Sequence, residues 1–275
     1  MDSLMAEPSL SDIYEAEALT KRLKRSASPE SLNLASILSQ CEPRNPCFSG
    51  ACIICGRRMQ AACCELVDER LRSLAKQVRG RMTSYHLVPA YGMVDVGNLT
   101  HRSISAFSKK VFRLLSEAKV SPSAFCIDIT LNDMPNTEFK PYWCIHVHGI
   151  AVDWPSAEQV YNLKQALTRS SEIKRPVRVE PLDERLEGVA YLFKPERSRR
   201  ERSLCTPVFG HRGPYHDTHR RALRPQQSVE LALAEHDYGL GQRIFTIGIS
   251  SSSVQYYVGR FKRPPEGLNP FVVGV

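Results

Sequence analysis

Residues 143–152 read Trp143-Cys144-Ile145-His146-Val147-His148-Gly149-Ile150-Ala151-Val152. Strict alternation over this length predicts a β-strand, since successive side chains of a strand point to opposite faces. His146 and His148 therefore share one face, and Ile145 and Val147 point to the other, into the core. Two imidazoles on one strand face stand close enough to share a metal ion if a third group completes the set.

The neighbouring segment 124–131, AFCIDITL, alternates in the same way. Phe125, Ile127, Ile129 and Leu131 form its apolar face and Asp128 lies on the opposite one. An antiparallel hairpin whose loop runs symmetrically from Asn132 to Tyr142 puts Asp128 directly opposite His146, on the same side of the sheet. A single bulge would shift that pairing by one residue. The resulting His, His, Asp set suits Mg²⁺ or Mn²⁺ as well as Zn²⁺.

Other elements follow from periodicity and end signals. Residues 65–81 are expected to be helical, with Leu66, Leu71, Leu74 and Val78 in near-helical spacing and Gly80 as the stop. Residues 84–91 read as a strand despite Pro89. Residues 100–118 form an amphipathic helix capped by Thr100, with Ile104, Phe107, Val111, Leu114 and Leu115 on one face. A helix over 156–169 capped by Ser156, a short strand over 177–181 and a helix over 183–194 follow. The last ends before Pro195, because the residue preceding proline resists the helical region. Residues 196–225 read as irregular and basic. A helix near 226–236 and strands near 243–249 and 254–261 end the pattern, which contains no internal repeat.

In the 183–194 helix, Leu186, Val189, Ala190 and Phe193 form an apolar stripe, and Tyr191 and Lys194, three apart, project from one face. A phenol is most often a packing group. Aligned in-line with a phosphodiester, however, it can attack phosphorus once its proton is removed, and a nearby ammonium can stabilise the phosphate charge.

The 275 residues suit one large domain, or one domain with a small appendage. The net charge of +8 suits a polyanionic partner as well as an ordinary basic protein. No run approaches the roughly 20 apolar residues of a membrane span, and residues 1–25 show no apolar signal core. The expectation is a cytoplasmic protein without a membrane partner. In that reducing compartment the nine Cys are not a disulfide framework. Six of them fall within 38–64. Cys41, Cys47, Cys52 and Cys55 make a four-thiolate structural zinc site plausible, ending in a Cys-Ile-Ile-Cys-Gly knuckle. A redox role for Cys52 and Cys55 leaves Cys41 and Cys47 unexplained, and Cys63 and Cys64 are spare candidates. From Lys194 to Arg224, nine Lys/Arg stand against three Asp/Glu. Arg197, Arg199, Arg200, Arg202, Arg220 and Arg221 are read as phosphate contacts along bound DNA. His211, His216 and His219 are an alternative second metal site. Tyr215, Tyr256 and Tyr257 either stack on bases or pack.

The order of these pieces resembles the HUH endonuclease superfamily, and within it the rolling-circle plasmid replication initiators. The resemblance covers roughly residues 83–195. His86 to Ala90 loosely match the first motif, His146-Val147-His148 the second, and Tyr191 with Lys194 the third. Asp128 stands where family members often carry Glu, and only one tyrosine is suitably placed. The resemblance implies an α+β fold, an antiparallel sheet flanked by helices. It implies a metal-dependent single-strand DNA nickase and strand transferase in which Tyr191 attacks, Lys194 assists, and Asp128, His146 and His148 hold Mg²⁺ or Mn²⁺. Origin or single-stranded DNA and a host helicase would be its partners. The expected organisation is a mostly disordered tail (1–37) with one short helix around Ile13 to Leu23, a Cys-rich zinc module with its helix (38–81), an HUH-like nuclease core (82–195), and a basic loop with a C-terminal extension (196–275). Two alternatives stay open: an HUH-type transposase or mobilisation relaxase with the same chemistry, and a non-catalytic zinc-dependent DNA-binding regulator.

Overall fold

The computed structural model describes residues 8–42, 45–120, 122–133, 140–167, 169–182, 186–195, 197–205, 215–250, 252 and 261. Its centre is the pair of long antiparallel strands β3 (Ser123–Asp133) and β4 (Tyr142–Val152). The chain reaches them through α1 (Leu10–Ser26), α2 (Pro29–Ser39), α3 (Ile53–Leu66), a π-helical turn (Val67–Leu71), α4 (Arg72–Gln77), β1 (Met82–Leu87), β2 (Met93–Asp95) and α5 (His101–Glu117). It continues through α6 (Ala157–Ala166), β5 (Val177–Pro181), α7 (Leu186–Leu192), β6 (Arg199–Cys205), β7 (Tyr215–Arg221), α8 (Pro225–Tyr238) and β8 (Ile244–Ile247).

These strands form one open, mixed sheet in the order β5-β1-β4-β3-β6-β7, with β2 on β4 and β8 on β3. The β3–β6 pairing is parallel and the others are antiparallel. The architecture is α+β with a curled sheet, its two central strands covered on both faces.

One face carries Phe125, Ile127, Ile129, Leu131, Trp143, Ile145 and Val147. They pack against Ile104, Phe107, Val111 and Leu115 of α5 and against Leu231, Ala234 and Tyr238 of α8. The α5 stripe and its Thr100 cap, bonded to the Ser103 amide, match the sequence pattern. Gly149 lies on this face opposite Phe125. A Cβ there would sit 1.9 Å from the Phe125 ring, so only glycine lets that ring lie flat on the sheet. The other face is divided. Ala124, Cys126, Ile150 and Val152 pack under α3 and α7 with Met59, Leu66, Val189 and Phe193. Further along the same strands stand Asp128, His146 and His148.

Three expectations are corrected. Residues 10–39 are not a disordered tail. They are two helices capped by Ser9 and Ser28, with Leu19, Leu23 and Leu34 buried against α8. Each helix offers only a narrow apolar stripe, too weak to read from composition, and gains its stability from the partner surface. Residues 199–205 and 215–221 are not irregular. They form the antiparallel β6–β7 pair, whose charged sequence suits a sheet edge and erases the hydrophobic alternation that marks buried strands. The first strand is Met82–Leu87 and stops before Pro89. The strand expected near 254–261 lies outside the described residues apart from Phe261. Among the described residues, no helix is long and apolar enough to cross a membrane.

Candidate functional site

The β3–β4 register pairs Asp128 with His146 and Cys126 with His148, as the symmetric loop requires. Asp128 Oδ2 lies 3.3 Å from His146 Nε2 and 3.5 Å from His148 Nε2. All three side chains are buried.

The hydrogen bonds fix which ring atoms are available. His146 Nδ1 is 3.0 Å from the Cys144 carbonyl, which only accepts, so Nδ1 carries a proton and, in the neutral ring, Nε2 a lone pair. His148 Nδ1 is 2.8 Å from His86 Nδ1, across the β1–β4 ladder. With His148 donating, its Nε2 is likewise a lone pair. Neither Nε2 makes a hydrogen bond among the described residues. Two lone pairs and a carboxylate oxygen thus meet at one buried point, an arrangement that a cation resolves. The donor set fits a divalent metal: two imidazoles and a carboxylate, with the Cys144 carbonyl and His86 bonding the far ring nitrogens and so orienting the imidazoles. A proton can fill the same role. Burial works against charge on His146, but the Asp128 carboxylate outweighs it and raises its pKa to about 10. Burial, with His148 beside it, pushes His86 down to about 4, which keeps it neutral as an acceptor.

His86, His146 and His148 open into a cleft of about 470 Å³ that Tyr191 also lines. Tyr191 is 42% exposed, and its ring stands edge-on to His148 with centroids 6.5 Å apart. Arg220 Nη2 donates to the Tyr191 hydroxyl at 2.6 Å, and Lys194 Nζ stands 4.1 Å from the ring centroid. Burial opposes ionisation of the phenol, but Lys194 and then Arg220 outweigh it and hold Tyr191 below the usual tyrosine value. The helix expected over 183–194 ends at Leu192, so Lys194 reaches the Tyr191 ring from the chain just past the helix and not from its face. Arg220 has a more specific place than sequence reading gave it. It arrives from β7, a strand whose charged sequence carried no visible period.

The remaining arginines divide. Arg200 is exposed and lines the cleft, and Arg221 is exposed opposite Arg199 in the β6–β7 register. Arg199 is held between Asp133 and Glu201, each at 2.8 Å. Arg197 does not face a ligand. Its side chain is 7% exposed, and it bonds Glu235 at 2.6 Å and the Gly50 carbonyl at 2.9 Å. Glu235 also faces Arg243, so Arg197 belongs to a buried charge network. The Arg202 side chain lies outside the described residues, as do His211, Arg212, Tyr256, Tyr257 and the side chains of Tyr215 and His216. His219 is exposed on β7.

Cys41, Cys47, Cys52 and Cys55 form a second cluster. Sγ separations are 3.5 Å for Cys41–Cys55 and Cys41–Cys52 and 3.8 Å for Cys47–Cys55. Thiolates about 2.3 Å from a tetrahedral zinc stand about 3.8 Å apart, so the four sulfurs fit that ion. Hydrogen bonds from the neighbouring thiols, Cys47 first, draw Cys41 strongly toward the thiolate. Cys63 is buried in the core and outside this group. The cluster sits at the start of α3, with Cys52 as its N-cap. From that helix Gln60 Nε2 donates to the Ala190 carbonyl of α7 at 2.6 Å.

No protein-family model matches the chain, and comparison with curated proteins and with solved structures finds no match.

Proposed function

We propose that this chain is a metal-dependent single-strand DNA endonuclease and transesterase with an HUH-type fold, which initiates rolling-circle replication through a 5′-phosphotyrosine intermediate. The observation that carries the reading is the convergence of His146 Nε2, His148 Nε2 and Asp128 Oδ2 at one buried point, with both imidazoles lining the cleft that the cation-flanked Tyr191 also lines.

Asp128, His146 and His148 would hold Mg²⁺ or Mn²⁺, which when bound draws charge from the scissile phosphate and holds it in place. Arg220 and Lys194 lower the cost of ionising Tyr191. The phenolic proton leaves to solvent, the phenolate oxygen bonds to phosphorus, and the bond from phosphorus to the 3′-oxygen breaks. That oxygen takes up a proton and becomes a free 3′-hydroxyl, while the 5′-phosphate stays on Tyr191. Attack by a 3′-hydroxyl on the phosphotyrosine reverses the step and rejoins DNA. Arg200 lines the cleft and is placed to neutralise a flanking phosphate. The four-cysteine cluster would hold a structural zinc.

Incubation with a mixed pool of short single-stranded DNA and Mn²⁺, resolved on a denaturing gel and by mass spectrometry, tests this. A covalent adduct at Tyr191 that disappears with chelator or in Tyr191→Phe is expected. A Phe variant that still nicks would remove Tyr191 from the nucleophile's role.

A further inference from the structure

A second groove, of about 580 Å³, lies between α4 and the end of the sheet where β1 meets β5. Arg72, Lys76, Arg79 and Arg81 line it, and no acid is among the described residues that do. Arg72 is held by Asp68 at 2.8 Å. Lys76, Arg79 and Arg81 are exposed, and among the described residues none of them forms an ion pair. Three free cations in six residues repel one another and gain little in isolation.

Local helix chemistry accounts for part of the cluster. Lys76 lies in the last turn of α4 and Arg79 just past its end, where cations complement the helix dipole. Arg79 takes a left-handed conformation (φ 52°), and the Gly80 amide returns to the Ala75 carbonyl at 2.9 Å, which closes the helix and sends the chain into β1. That turn does not account for Arg81, which lies beyond the helix, or for the groove itself. An aromatic group stands nearby. The Arg81 carbonyl accepts from the Asp153 amide at 2.6 Å, and the next residue, Trp154, is 50% exposed. A large indole left half in water, one residue from the amide bonded to Arg81, makes with these cations the pairing that single-stranded nucleic acid uses, cations on phosphates and a ring on a base. The groove also shares Pro181 and Leu182 with the cleft that contains His86, His148 and Tyr191.

We propose that this groove binds the phosphodiester backbone of single-stranded DNA continuing from the cleft, with Lys76, Arg79 and Arg81 on phosphates and Trp154 stacked on a base. The assignment rests on the proposed function for the identity of the strand. It extends the DNA track past β5 to a region that none of the hairpin arginines reaches.

The test compares the full chain with a triple variant, Lys76→Ala, Arg79→Ala and Arg81→Ala, and separately with Trp154→Ala. Fluorescence anisotropy would follow oligonucleotides of about 4 and about 15 nucleotides over a range of salt, spanning the site sizes of single-strand binders. The long oligonucleotide is expected to bind the triple variant at least tenfold more weakly. Its salt slope should fall by about 2, since each single-strand phosphate contact contributes about 0.7. The short oligonucleotide should bind both proteins alike. Trp154→Ala should weaken only the long one. Adduct formation at Tyr191, measured alongside, separates this proposal from the one beneath it. An adduct together with unchanged long-oligonucleotide affinity and salt slope would overturn the groove and leave the nuclease intact. Length-dependent loss without any adduct would keep the groove and remove the nuclease. Absence of binding by the unaltered chain would overturn the groove.

Discussion

Asp128 stands directly across the β3–β4 ladder from His146, its Oδ2 3.3 Å from the imidazole Nε2. That pairing makes the centre a charged one, since two neutral imidazoles alone attract a hard cation weakly. Asp128→Ala should abolish saturable Mn²⁺ binding in isothermal titration calorimetry. His86→Ala should weaken it about 10- to 100-fold, as loss of a group that orients a ligating imidazole does. Wild-type Mn²⁺ affinity in both variants would rule out the metal centre.

The environment of Tyr191 sets a pH dependence. Its pKa is lowered, with Lys194 the larger of the two cationic causes and Arg220 the second. In the proposed reaction the attacking form is the phenolate, so the single-turnover cleavage rate should rise with pH and level off below the ordinary tyrosine value of about 10. Arg220→Ala removes the 2.6 Å bond and should move the levelling point upward, with a slower rate at neutral pH. An unchanged profile would mean that Arg220 does not act on the phenol.

Arg197 offers a sharp contrast with the exposed arginines of the hairpin. Arg197→Met keeps much of the side-chain volume but leaves the buried Glu235 carboxylate with only Arg243, 3.6 Å away. Breaking a buried pair from one side costs about 3–5 kcal/mol. The variant should unfold at markedly lower denaturant concentration while the folded protein binds single-stranded DNA as before. Arg200→Ala should do the reverse, with near-normal stability and weaker DNA binding that is less sensitive to salt.

Much of this was legible in the sequence because it depends on strand parity and loop symmetry. Alternation put His146 and His148 on one face, and the 132–142 loop set the register that brings Asp128 to them. Thr100 and Ser156 marked their helices as caps do. What stayed hidden depends on contacts between distant segments. His86 looked like a poor motif residue, yet the β1–β4 register sets it against His148. Arg197 and Arg220 are the same residue type in one basic stretch. Only the fold sends the first beneath α8 and the second to the Tyr191 hydroxyl. The N-terminal helices were obscured because Leu19, Leu23 and Leu34 find their apolar partners more than 190 residues away, at α8.

The four-cysteine cluster and the tyrosine helix are joined through α3, so zinc should matter to cleavage without touching DNA chemistry. Cys52 caps α3, Gln60 of that helix bonds the Ala190 carbonyl beside Tyr191, and Gly56 lies so close to Pro195 that a Cβ would approach it to 2.5 Å. A strong zinc chelator should therefore lower the Tm and slow cleavage together. Gln60→Ala separates the two effects. It removes one hydrogen bond, worth about 1 kcal/mol, from the support of α7 and leaves the thiolates intact. The cleavage rate at saturating DNA should fall about three- to tenfold, with zinc content and the Kd for single-stranded DNA unchanged. Equal loss of rate, zinc and affinity would mean that Gln60 merely holds the fold. No loss of any of them would mean that α3 does not position the tyrosine.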